Sequence, residues 1–244
     1  MRPDYQKWLA DQKYSEGTQN SQIYRVKKVE ESYGDLEKHF ATGTYQEIIN
    51  SLGYSTNDER ANRPNPSKLI FEGNIRNNLQ SYKNAAVRYW KFLNENKFQG
   101  NIVGPESPEY MTMSLNAQEA VQQRFSLERD MQAALRRNIG SLDASLRIID
   151  NGEERAVNSG LIDITCEDSN ALVVVELKAG TADSRAIGQI LGYMGDLYEE
   201  EGGKPVRGIL IAHDFDRRTR AAARVVPTLT LKKYSIEFQF KSEE

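Results

Sequence analysis

Gly160–Gly180 reads G-L-I-D-I-T-C-E-D-S-N-A-L-V-V-V-E-L-K-A-G. Two runs, 161–166 and 171–178, are rich in β-branched and apolar side chains, and Glu167-Asp168-Ser169-Asn170 between them is turn chemistry. The stretch predicts an antiparallel hairpin, and side chains along it alternate between two faces. A turn centred on Asp168 and Ser169 sets Asp163 opposite Val174 and diagonal to Glu176. Ile162, Ile164, Cys166, Val173, Val175 and Leu177 then form a core face. Asp163, Glu176 and Lys178 converge on the other, beside Thr165 and Val174.

Two carboxylates held close repel, and one is pushed toward its neutral form unless a cation sits between them. Mg²⁺ suits the place, because it takes oxygen ligands and is usually bound by one or two carboxylates plus waters and a substrate phosphate. Lys178 points to the same side and is placed to assist a hydrolytic water or offset charge on a phosphate. The bland alternative is an exposed hairpin face on which Lys178 merely pairs with the two acids.

Downstream of Gly180, Asp183 is a candidate cap for a helix A-I-G-Q-I-L-G-Y-M-G-D-L-Y. Its Ile187, Ile190, Leu191 and Met194 are spaced to pack on a sheet, and Gln189 and Tyr193 share a face. Val206–Ala212 is an uninterrupted apolar run, which predicts an interior strand. A basic helix with Arg217, Arg218, Arg220 and Arg224 follows. Upstream, 142–158 contains a strand around Ser145–Ile149 and a turn at Asn151-Gly152. A long helix starts at Asn116, whose spacing from Glu119 is that of a capping box, and runs on through 127–139. Leu127, Met131, Ala134 and Leu135 make its core stripe. Glu128 sits beside that stripe, poorly placed for solvent, and its bland reading is a helix-surface residue paired with Arg124 or Arg129.

Together G-L-I-D, V-V-V-E-L-K, G-Q-I-L-G-Y-M and V-R-G-I-L-I-A resemble the PD-(D/E)XK nuclease superfamily, and most closely the nuclease domain of the NucS (EndoMS) endonucleases. S-L-E-R-D-M at 126–131 matches that domain's first helix, and the resemblance covers roughly residues 111–240 in order. It implies a restriction-endonuclease-like α/β domain with a mixed central sheet. It assigns Asp163, Glu176 and the Leu177 carbonyl to Mg²⁺ (with Mn²⁺ able to substitute), and Glu128 to the same acidic cluster. Lys178 would assist the hydrolytic water, Gln189 would orient it, and Tyr193 would line the same edge. It also implies a homodimer, since two subunits are needed to cut both strands at once.

The first hundred residues fall outside the resemblance; NucS proteins carry a β-rich domain there, whereas this segment reads as helical. Asp4 is a candidate cap for a helix over 5–13, with Trp8 and Leu9 inward. Two helices follow within 21–53, the first ending at Gly34 and the second at Gly53. Residues 54–67 read as a polar loop. The clearest helix is 74–95, where Ile75, Leu79, Tyr82, Ala86, Tyr89, Trp90 and Leu93 recur at steps of three and four. Residues 96–115 read as a linker, which divides the chain into a helical domain, 1–108, and a nuclease domain, 109–244.

The formal net charge is −3, with a slight positive excess in the first 95 residues and a negative one beyond. A wholesale basic coat for nucleic acid is thereby excluded, but a local basic groove is not. Lys83 and Arg88 on the aromatic helix, Arg155 near the hairpin, Tyr193 at the edge of the site, and Arg217, Arg218 and Arg220 are the candidate DNA contacts. Cys166 is the single cysteine, so no internal disulfide forms, and a reducing cytoplasm, at the nucleoid, fits. No apolar run approaches a bilayer's span. No Walker loop, dinucleotide fingerprint or zinc pattern is present, and His213-Asp214 lacks a G-x-S-x-G elbow. The sequence therefore predicts a Mg²⁺-dependent DNA endonuclease, of restriction or defence type given its unusual N-terminal part. The alternatives are a repair nuclease cutting mismatched or branched DNA, and a DNA-binding module that no longer cleaves.

Overall fold

The computed structural model describes residues 1–12, 14–100, 127–150 and 152–237. Its N-terminal part is helical: α1 (Tyr5–Asp11), α2 (Glu16–Tyr33), α3 (Leu36–Thr42), α4 (Tyr45–Ser51), α5 (Thr56–Arg60) and α6 (Ile75–Gly100). The local signals that start these helices are side-chain caps. Ser15 accepts from the Thr18 N–H, and Asp35 accepts from Glu37 and Lys38. Asp4, read as a cap, makes no such bond and pairs with Arg2 instead. Two helices were not anticipated. At 7 and 5 residues, α3 and α5 are too short for an apolar period to register. Their traces in the sequence are Asp35 with Gly43, which takes a left-handed φ of 79°, and a Ser55–Asp58 capping box inside the expected loop.

Helix α6 is the spine of this part. Leu79, Ala85, Ala86, Tyr89, Phe92 and Leu93 are buried against α1–α4. Tyr5, Trp8, Tyr89 and Phe92 pack edge-on and stacked, with ring centroids 4.9–5.9 Å apart. The boundary near residue 108 and the Asn116 capping box lie outside the described residues.

Residues 127–137 form α7, followed by a 3-10 turn at Ile139–Ser141. Among the described residues seven strands follow in order: β1 (Arg147–Ile148), β2 (Arg155–Val157), β3 (Gly160–Ile162), β4 (Ile164–Glu167), β5 (Leu172–Ala182), β6 (Val206–Phe215) and β7 (Leu229–Lys233). Five of them make a mixed sheet in the order β1-β4-β5-β6-β7. The β1–β4 and β4–β5 pairs are antiparallel, while β5–β6 and β6–β7 are parallel. Helix α8 (Ser184–Glu200), capped by Asp183 as read, crosses one face between β5 and β6, and α9 (Arg217–Ala223) joins it. Met131 and Leu135 of α7 cover the other face. Sandwiched between two layers, β5 is apolar and buried on both sides from Leu172 to Val175.

The hairpin register differs from the expected one. The ladder pairs Ile164 with Val175 and Glu167 with Leu172, so the connection is the four residues Asp168–Ala171. Asp168 organises it, its carboxylate accepting from the Asn170 and Ala171 N–H groups. The slip is two residues in pairing sum, which preserves side-chain parity. Ile164, Cys166, Val173, Val175 and Leu177 therefore keep one face, as read. Ile162 does not. The chain bends at Asp163 between β3 and β4, and Ile162 packs with Val174 on the α8 side.

Strands β2 and β3 form a separate hairpin that docks on α6. Ala156 donates to Asn84 Oδ1 at 2.8 Å and accepts from Gln80 Nε2 at 2.9 Å, and Ala156 and Leu161 complete the helical core. The two parts of the chain are thus packed together at the hairpin that leads into Asp163. No helix among the described residues is long and apolar enough to cross a membrane.

Candidate active site

The bend at Asp163 is built from α7. Gln132 Nε2 and Arg136 Nη2 both donate to the Asp163 carbonyl at 2.6 Å. Arg136 also grips the Asp150 carboxylate at 2.5 and 3.0 Å, and Asp150 accepts from the Thr165 N–H. With its backbone turned out of the ladder, Asp163 stands one step beyond the Ile164–Val175 pair, across from Glu176. Its carboxylate accepts from the Leu177 N–H at 2.8 Å. In a strand the N–H and C=O of one residue face the same edge, so the Leu177 carbonyl faces Asp163 as well.

Glu176 is 1% exposed, and Lys178 Nζ donates to its Oε1 at 2.8 Å. Its Oε2 is buried without a hydrogen-bond partner among the described residues. Burial, and then the charge of Glu176, push Asp163 well above the usual carboxylate range. Burial also raises Glu176, with Lys178 pulling back. Lys178 is driven down by burial, but Glu176 and Asp163 outweigh this and hold its ammonium charged.

Glu128 reaches the cluster's rim, its Oε1 accepting from the Ala179 N–H at 2.8 Å. That bond ties it to the backbone beside Lys178; among the described residues no three His, Cys, Asp or Glu side chains converge as a ready-made ligand set. Gln189 Nε2 donates to Tyr193 Oη at 2.7 Å. Tyr193 is 4% exposed, and its hydroxyl sits where a Cβ on Gly160, at φ 145°, would come within 2.9 Å. Tyr193 therefore packs and orients Gln189; its burial argues against the direct DNA contact assigned to it.

These groups line one cleft of about 330 Å³, with Asp163, Glu176, Lys178, Glu128 and Gln189 on one wall. The opposite wall was not foreseen: Tyr14, Trp90 and Lys91 come from the helical part. Glu154 closes the end, hydrogen-bonded by Tyr14 Oη and by Arg88 Nη2 at 3.2 Å. Burial pushes Glu154 up, but Lys91 and Arg88 more than reverse it and hold the carboxylate below its ordinary value. No sequence motif marks this wall, which comes from residues at least 60 positions upstream of Glu154 and Asp163.

Three of the expected DNA contacts are occupied in this way. Arg88 is fully buried, with Nε on Tyr14 Oη at 3.1 Å and its guanidinium 4.9 Å from the Tyr14 ring centroid. Lys83 is 2% exposed and pairs with Glu200 at 2.5 Å. Arg155 pairs with Glu200 at 3.3 Å and Glu201 at 2.6 Å. All three join α6 or the β2–β3 hairpin to its neighbours and are not open to phosphate. Arg217 and Arg218 are exposed on α9, while Arg220 pairs with Asp214 at 2.5 Å.

The uncompensated acids have a measurable consequence. Because the folded-state pKa of Asp163 lies above its unfolded value, the folded protein holds more protons between the two, and stability falls as pH rises through that window. Asp163→Asn keeps the acceptor for Leu177 and deletes the charge. In EDTA at neutral pH it raises stability by about 1–2 kcal/mol. A thermal melt detects this, and an equal or lower Tm than wild type would show that the pair is not strained.

Residues 127–237 match the family described as the endonuclease NucS C-terminal domain. The Endonuclease NucS of Methanopyrus kandleri is 30% identical over 124 residues, 50% of this chain and 44% of that protein. The Endonuclease NucS of Thermococcus kodakarensis is 38% identical over 87 residues, 35% of this chain and 31% of the relative. A solved structure of a repair endonuclease from Pyrococcus abyssi aligns at 28% identity with TM-score 0.39, covering 43% of this chain and 45% of that one. The chain spans less than half the length of these relatives. The family match leaves α1–α6 outside it, so the wall that supplies Tyr14, Trp90 and Lys91 has no counterpart in the matched segment.

Proposed function

We propose that the chain is a metal-dependent DNA endonuclease of repair type, cutting mismatched or branched DNA. The observation that carries this is Asp163, Glu176 and Lys178 brought together in one cleft, on a segment similar to the NucS C-terminal domain. The restriction or defence reading rested on the unusual N-terminal part alone, and the relatives favour repair. A homodimer, which would bring two sites to opposite strands, and action on chromosomal DNA in the cytoplasm belong to the same proposal.

The residues fit a divalent cation. Glu176 Oε2 is an orphaned buried oxygen, Asp163 is a second hard donor, and the Leu177 carbonyl faces the same edge. A set this small suits Mg²⁺ or Mn²⁺, which keep several waters and take substrate oxygens to complete their shells. When bound, the cation supplies Lewis-acid stabilisation of phosphoryl oxygens and a lowered pKa for the attacking water. The chain's own residues do the rest. Lys178 fixes the Glu176 rotamer through Oε1, which leaves Oε2 for the ion. Its charge is held in place where negative charge builds on the phosphate. Gln189, anchored by its amide N–H on Tyr193, keeps its carbonyl available to accept a hydrogen bond from the water. Glu128 braces the backbone of Ala179, one residue after Lys178.

The test is a panel of end-labelled DNAs incubated with Mg²⁺: a matched duplex, a duplex with one mismatch, and a splayed-arm branch. The repair reading expects the mismatch or the branch to be cut in preference to the matched duplex. Discrete cuts in matched plasmid would return the chain to the restriction reading. Binding of all three without cleavage would leave a DNA-binding module.

A further inference from the structure

Lys178 is committed to Glu176, so it is not the cation most available to a substrate. Lys91 is. It lies on α6, partly buried on the wall of the cleft that faces Asp163 and Glu176. Among the described residues it has no hydrogen bond or ion pair. Burial works against its charge, but Glu154, Glu95 and Asp163 outweigh this and keep it cationic. Its position is fixed by the turn before it. Arg88, three residues earlier on the same helix, is locked by Glu154 and Tyr14, which sets the register of α6 over the site. Gln80 and Asn84 bind Ala156 on the same hairpin that leads to Asp163. A lysine ammonium on this wall, ion-paired with neither of the two acids that share the cleft, is free to take an anion that enters it.

We propose that Lys91 binds the phosphodiester of the substrate, so that the active site is composed by both parts of the chain. The inference rests on the nuclease reading for the identity of the anion, but its test does not. Lys91 is supplied by helices outside the NucS-like segment, and the helical part thereby contributes a substrate-binding group rather than only a fold.

The experiment measures binding of a fluorescent oligodeoxynucleotide to the full chain in EDTA, in a Glu176→Gln background, across a range of NaCl concentrations. Loss of one phosphate contact lowers the slope of log affinity against log salt by about 0.7–0.9. Lys91→Gln is expected to lose that slope and to weaken binding about 10-fold. Lys91→Arg is expected to retain the slope, and Lys27→Ala, which removes an exposed lysine on α2, is expected to leave it unchanged. If Lys91→Gln is folded by thermal melt and keeps the wild-type slope and affinity, Lys91 is only a counter-charge for the acids and the proposal is overturned. If Lys91→Arg also loses the slope, the effect is structural and the proposal fails as well. A chain that cleaves no DNA but shows the Lys91-dependent slope retains the phosphate site and loses the nuclease reading. A chain that cleaves with no dependence on Lys91 does the reverse.

Discussion

Glu176→Gln is expected to lower the rate of the proposed DNA cleavage by about 1,000-fold or more, equivalent to about 4 kcal/mol of transition-state stabilisation. The substitution keeps size and shape and removes one charge. It leaves Lys178 with only an amide oxygen to pair with, and it removes the orphaned Oε2 that is the cleft's clearest vacant donor. Fold is not the casualty. Burial holds the Glu176 carboxyl above its usual range in spite of Lys178, so its charge disfavours the folded state at neutral pH and the neutral glutamine is tolerated or mildly stabilising. The expected signature is therefore a protein that melts at or above the wild-type temperature, binds DNA, and does not cut it. Single-turnover kinetics with binding measured in parallel separates the two effects. A variant that cuts at a tenth of the wild-type rate or faster would remove Glu176 from the chemistry.

Arg88→Met costs about 3–5 kcal/mol of stability, the range for breaking a buried charge pair. For a chain of this size, that corresponds to a Tm lower by about 6–20 °C. Arg88 is fully buried, and its loss leaves Glu154 and the Tyr14 hydroxyl without their shared partner inside the joint between the helical part and the sheet. The double variant Arg88→Met, Glu154→Gln removes both charges and recovers a large part of the loss. Additive losses in that cycle would show that the two residues do not act as a pair. The pH dependence has the opposite sign to that of Asp163. The folded pKa of Glu154 lies below its ordinary 4.5, so its contribution is present above that value and is lost as pH falls through the folded one.

Much of the sheet was legible because its signals are local. The apolar runs at 171–178 and 206–212 mark strands whatever surrounds them, and Asp183 caps α8 where its side chain suggested. The site acids were legible for the same reason, since a strand puts Glu176 and Lys178 on one face. The register was not, because the four-residue connection closed by Asp168 runs over 168–171 and not over the 167–170 that the turn residues suggest. Lys83 and Arg88 were misjudged because a basic residue amid aromatics on an amphipathic helix resembles a solvated edge. Their partners, Glu200 and Glu154, are more than 60 residues away, and nothing local announces a buried pair across such a distance. The relation of Lys91, Tyr14 and Glu154 to Asp163 was not legible either, because it exists only once α6 docks on the β2–β3 hairpin.

The most direct measurement is the fate of a covalently closed circular DNA carrying one mismatch, incubated with the wild-type chain in Mg²⁺ or in EDTA. A circle has no ends, so any conversion to nicked or linear form is endonucleolytic. Conversion is expected in Mg²⁺, with none in EDTA and none by Asp163→Asn or Glu176→Gln in either. Equal conversion by wild type and by both variants would place the chemistry outside this cleft, and a folded wild type that leaves the circle intact in both Mg²⁺ and Mn²⁺ would contradict the nuclease reading itself.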